Sequence, residues 1–115
     1  MKRFSLNGSA PKSLNEIACE VVLDYAIANP TSSAKKIRDT FVTACKGCGA
    51  SHIVETEPEY LMRRHQKSWK RSAQAITIPC GDKLYVTTQW RAGKPKDNFF
   101  RFKDVVDREG WGTIV

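Results

Sequence analysis

A chain of 115 residues is long enough to bury a core and too short for two independent ones, so the expectation is a single domain. A hydrophobic share of 41%, including eleven aromatic residues, excludes a disordered chain, and no apolar run approaches the roughly 20 residues that cross a bilayer. The formal net charge of +7 points to a polyanionic partner, because the excess is local: residues 12 to 45 carry four Lys or Arg and four acids, whereas residues 60 to 71 carry five cations and no acid.

The first eleven residues mix Gly, Ser, Asn and Pro without periodicity and are expected to form a flexible arm, leaving 12–115 as the folded domain. They hold basic residues but no apolar stretch of the kind a secretion signal needs, so a soluble, cytoplasmic protein without a membrane partner is expected. "SLNE" at Ser13 to Glu16 then reads as a capping box, and Leu14, Ile17, Ala18, Val21, Val22 and Tyr25 follow at helical spacing. Pro30 ends this helix by pushing Asn29 out of helical geometry. Ser32 or Ser33 caps a second helix with Ala34, Ile37, Phe41, Ala44 and Cys45 on its apolar face and Gly47 as its stop.

"SHIVE" at 51–55 has the β-branched character of a short edge or connecting strand. Thr56, Pro58 and Glu59 suit a third helix start, and a helix over roughly 57 to 71 takes in the most unusual stretch of the chain, "RRHQKSWKR". On a helix Leu61, His65 and Trp69 share one stripe, expected to face the core, while Arg63, Lys67, Lys70 and Arg71 fall on the other side at ~100° per residue. "AQAITI" and "KLYVTTQW", separated by "PCGD", read as an antiparallel hairpin. After the polar loop "RAGKPKDN", Asp97 or Asn98 caps a last helix with Phe99, Phe102, Val105 and Val106 inward, stopped by Gly110 before a terminal "TIV" strand.

The expected class is therefore α+β: a small domain of amphipathic helices and a short antiparallel hairpin. Three helices followed by a two-stranded hairpin resemble the element order of a winged helix, in which the third helix enters a DNA groove and the hairpin is the wing. As an architectural resemblance this implies DNA in preference to RNA, with fold alone deciding nothing about function.

Phosphate binding needs several cations on one face, so that condensed counterions are released together. Arg63, Arg64, Lys67, Lys70 and Arg71 meet that requirement, with Gln66 and Ser68 able to reach base edges. Arg91, Lys94 and Lys96 form a second group suited to flanking phosphates. The plain alternative for both groups is a solvated charged surface. The reading favoured by the charge pattern is a small basic nucleic-acid-binding protein of the kind that serves as a bacterial or phage regulator or accessory factor. Two other classes compete with it: a small ribonuclease-like toxin using His52 and His65, and a protein-interaction module or inhibitor that presents its basic surface to a host enzyme.

Cys45 and Cys48 have the spacing of half a zinc knuckle, but a full site needs two more ligands, and only Cys19, Cys80, His52 and His65 remain. No cofactor is expected, and buried reduced thiols are the simpler reading. G-x-S-x-G, P-loop and H-E-x-x-H patterns do not occur, leaving catalysis without a convergent motif.

Overall fold

The computed structural model describes residues 3–49, 52–64 and 73–115. Among them are four helices and a three-stranded antiparallel sheet: α1 (Leu14–Ala28), α2 (Ala34–Ala44), β1 (Val54–Thr56), α3 (Glu57–Arg64), β2 (Ala73–Thr77), β3 (Lys83–Thr87) and α4 (Asn98–Glu109). The α+β expectation holds. The hairpin β2–β3 is present, and the short "SHIVE" run extends it by pairing β1 with the other side of β3, giving the order β1-β3-β2.

Helix boundaries follow the capping chemistry. The Ser13 hydroxyl oxygen accepts from the Glu16 N–H, and its own O–H donates to the Glu16 carboxylate. Ser33, the second of the two candidates, caps α2 by accepting from Lys36 N–H at 3.1 Å. At the other end of α4, Gly110 takes a left-handed conformation (φ +71°) that a residue with a Cβ enters only at a cost.

The period-two alternation of β3 sorts the sheet into two faces. Val54, Leu84 and Val86 point to the inner face and are buried beneath α1 and α2. Their core continues through Ile17, Val21, Val22, Ile37 and Phe41 into the apolar stripe of α4, where Phe99 and Phe102 pack on Trp90. Just beyond α4, Trp111 tilts onto Phe41 with ring centroids 4.3 Å apart and meets Tyr25 edge-on, closing the helical layer. Glu55 and Tyr85, paired across β1 and β3, point to the opposite, outer face, and α3 lies over them.

The segment that sequence alone leaves as an arm makes specific contacts. Phe4 and Lys12 exchange backbone hydrogen bonds, Ser5 pairs with Val115, and Leu6, which is buried, bridges to Ile114. The expected terminal strand is thus a short bridge to the start of the chain. The winged-helix comparison extends no further than element order, because α2 and α3 are separated by residues 45–56, including β1, and are not joined by the short turn of a helix-turn-helix unit.

Candidate nucleic-acid interface

α3 is built outward from a polar floor. Thr56 donates both its N–H and its hydroxyl to one Glu59 oxygen, at 3.1 and 3.0 Å, and starts the helix as its sequence implies. One turn later the Tyr60 ring stacks flat on Tyr85, with centroids 4.0 Å apart. Arg63 then reaches the buried Glu55 with a two-pronged contact, Nη2 to Oε1 at 2.6 Å and Nε to Oε2 at 2.9 Å. The side chains are 10% and 5% exposed, so this is an ion pair inside the protein.

That contact corrects the expected orientation of α3. Helical spacing alone turns Leu61 to the core and Arg63 away from it, yet Leu61 is 43% exposed and Met62 72%, and Arg63 points inward. The cause lies in the surface beneath the helix. Strand alternation puts the Glu55 carboxylate on the outer sheet face, α3 covers it, and a covered carboxylate requires a cation more than the helix requires an apolar stripe. Arg63 is consequently an anchor for α3. Arg64 is exposed at the helix end and lies near enough to the Tyr85 hydroxyl to act on it electrostatically.

Gln66, Lys67, Lys70 and Arg71, together with His65, Ser68 and Trp69, lie outside the described residues. The chain is described again at Ala73, and the register is informative there. Ala73 pairs with Thr87, the last residue of β3, four positions before Arg91. Ala73 therefore enters the sheet at the end from which the second basic loop leaves.

That loop is organised by α4. The Asp97 side chain accepts from the N–H groups of Gly93 and Lys94 at 2.8 and 2.7 Å, folding residues 93–97 back on themselves. The buried Asn98 amide ties the loop to the sheet exit, accepting from Arg91 N–H and donating to the Gln89 carbonyl. Arg91, Lys94 and Lys96 stand out from this frame exposed, and none of them forms an ion pair among the described residues.

Arg101, one turn along α4, belongs to the same region; the charge pattern of the sequence counts it with Lys103 in the second basic cluster, but not among the phosphate-binding candidates. Its Nη1 donates to the Gly47 carbonyl at 3.1 Å, and Gly49 lies against Asn98 and Arg101. The signal is available in the spacing, since position 101 is three residues after Asn98 and faces the same way. Lys46 adds an exposed cation on the adjoining loop. A wider groove along the outer side of α2 also carries Lys35, Lys36 and Arg108, but Asp39 and Glu109 are interspersed there. Mixed charge suits a phosphate chain less well.

His52 is exposed, adopts a positive φ of 52°, and places Nδ1 3.7 Å from Glu55 Oε2 at the edge of the Arg63 ion pair. His65, its companion in the ribonuclease reading, is outside the described residues. Cys45 and Cys48 lie side by side and are buried, and among the described residues no group of three or more Cys, His, Asp or Glu is arranged to hold a metal ion. No helix among the described residues is long and apolar enough to cross a membrane. No family model, curated protein or solved structure gives a significant match to the chain.

Proposed function

We propose that this protein binds nucleic acid, duplex DNA in preference to RNA, as a small regulator or accessory factor without catalytic activity of its own. The observation that carries the reading is the Ala73–Thr87 register. It sets Ala73, the residue that closely follows the first basic stretch in sequence, at the end of the sheet from which the loop bearing Arg91, Lys94 and Lys96 leaves. In this reading Arg64, Lys67, Lys70 and Arg71 neutralise phosphates on one side, while Arg91, Lys94 and Lys96 do so on the other. Gln66 is the candidate for reaching base edges. Arg63 contributes by holding α3 on the sheet.

Fluorescence anisotropy against duplex DNA, single-stranded DNA and RNA at several salt concentrations tests this. Wild type is expected to bind duplex DNA with a steep loss of affinity as salt rises. A Lys67→Ala/Lys70→Ala/Arg71→Ala variant should flatten the log–log slope by about 2 to 3, near 0.9 for each phosphate no longer neutralised. Lys94→Ala/Lys96→Ala should flatten it further. Absence of binding to all three ligands at low salt would overturn the proposal and direct attention to a protein partner. RNA cleavage abolished by His52→Ala would establish the ribonuclease reading in its place.

A further inference from the structure

The loop that ends α2 holds a pair of buried thiols that the nucleic-acid reading does not use. Cys45 is the C-cap of α2, and the Cys48 N–H donates to the Cys45 carbonyl at 3.0 Å. This is the hydrogen bond of a four-residue turn, which brings the first and last Cα atoms within about 7 Å. A disulfide needs Cα atoms about 4.4 to 6.8 Å apart, so the turn holds the two residues near bonding range without rearranging α2. Gly47 and Gly49, at φ +89° and +84°, supply the left-handed positions that let the chain double back. The two thiols lie close enough to shift each other's ionisation.

Two cations from α4 brace the same loop. Arg108 donates to the Ala44 carbonyl at 3.0 Å and Arg101 to the Gly47 carbonyl at 3.1 Å, so positive charge sits on either side of the sulfur pair, with Asp104 and Glu109 opposing it from the same helix. The neighbouring Cys45 thiol lowers the Cys48 pKa below the usual thiol value, and both arginines add to the effect. Cys45 is correspondingly raised, by Cys48 and by burial. A cavity of about 260 Å³, lined by His52, Lys46, Val42 and Cys45 among others, opens beside the Cys45 side of the pair. The other cysteines are placed differently. Cys19 lies in the middle of α1, its thiol pushed up to about 11 by burial and by Glu20, and Cys80 is exposed in the β2–β3 turn.

We infer that Cys45 and Cys48 form a redox site that closes reversibly to an intramolecular disulfide when a peroxide reaches it. The Cys48 thiolate attacks one oxygen of hydrogen peroxide, the O–O bond breaks, and the departing hydroxide takes up a proton to become water. The Cys45 sulfur then displaces the oxygen of the Cys48 sulfenic acid, which leaves as a second water with the Cys45 proton. Two thiols are oxidised, the peroxide is reduced, and a dithiol reductant reverses the change by exchange. The ring so closed contains the Gly47 carbonyl to which Arg101 is bound, so oxidation acts directly on the support of α4's first turns.

The sequence supplies a clean assay, because Lys46 lies between the two cysteines. Trypsin divides the region into peptides 39–46 and 47–63, each carrying one of the pair. After treatment of the folded protein with hydrogen peroxide and blocking of remaining thiols, the two peptides are expected to stay joined and to separate on reduction. A Cys19→Ser/Cys80→Ser variant should lose both of its thiols with the same dependence on peroxide. Recovery of the two peptides unjoined from peroxide-treated wild type, or of either one joined to the peptide containing Cys19 or Cys80, would overturn the inference. The readout needs no nucleic acid, so its failure and that of the functional proposal are separately visible.

Discussion

Arg63 shows how a single side chain changes role once its neighbours are in place. In sequence it is one of five cations, but in the fold it completes a buried pair with Glu55. Removing one partner of a buried pair leaves an uncompensated charge, so Arg63→Ala is expected to cost about 3–5 kcal/mol in urea unfolding, whereas Glu55→Leu/Arg63→Met should recover most of that loss. If Arg63 instead served only phosphates, the single variant would unfold at the wild-type urea concentration. Glu59 gives a pH signature at the same scale. Burial raises its pKa, but the Thr56 N–H and hydroxyl and the Arg38 guanidinium outweigh burial and hold the carboxyl below its ordinary value. A depressed folded-state pKa stabilises the protein fully above the ordinary carboxylate value, and that contribution is lost as pH falls through the folded value. The acid limb of a stability–pH curve should therefore be shallower for Glu59→Gln than for wild type.

Among the elements, α1, α2 and α4 obey their apolar stripes because each packs on an apolar inner layer. α3 departs from its stripe because the surface under it is a carboxylate and a tyrosine ring. The difference is measurable. Leu61→Gln and Met62→Gln should change stability by no more than about 0.5 kcal/mol, as exposed positions do. Phe102→Ala, in the middle of the α4 stripe and fully buried, should cost about 3–5 kcal/mol. Equal losses at Leu61 and Phe102 in chemical denaturation would mean that α3 buries its apolar side after all. Capping is the most legible feature at this scale: Ser13 with Glu16 and Thr56 with Glu59 mark helix starts by local hydrogen bonds that need no tertiary partner.

For the whole molecule, residues 5–7 meet residues 113–115. Leu6 is buried and Ser5, Asn7 and Leu6 pair with residues 113–115, so the start of the chain covers part of the core next to α4. Leu6→Ala is expected to lower stability by about 2–5 kcal/mol, and a thermal unfolding midpoint unchanged from wild type would show that these residues do not contribute. Sequence alone makes them an arm because the stretch has no periodicity of its own, and a bridge made of a few backbone hydrogen bonds to a distant segment leaves no local pattern.

What the sequence determined by itself was whatever depends on neighbours along the chain. The helix caps, the apolar stripes of α1, α2 and α4, the hairpin and the uneven distribution of charge are of this kind. Tertiary structure decided what depends on residues far apart: the pairing of β1 with β3, the inward turn of Arg63 toward Glu55, the meeting of Ala73 with Thr87 beside the second basic loop, and the bracing of the Cys45–Cys48 loop by α4. The physical reason is common to all four. A side chain's partner is set by burial and by the need to satisfy charge and hydrogen bonds within a covered space, and that space exists only after the elements have packed.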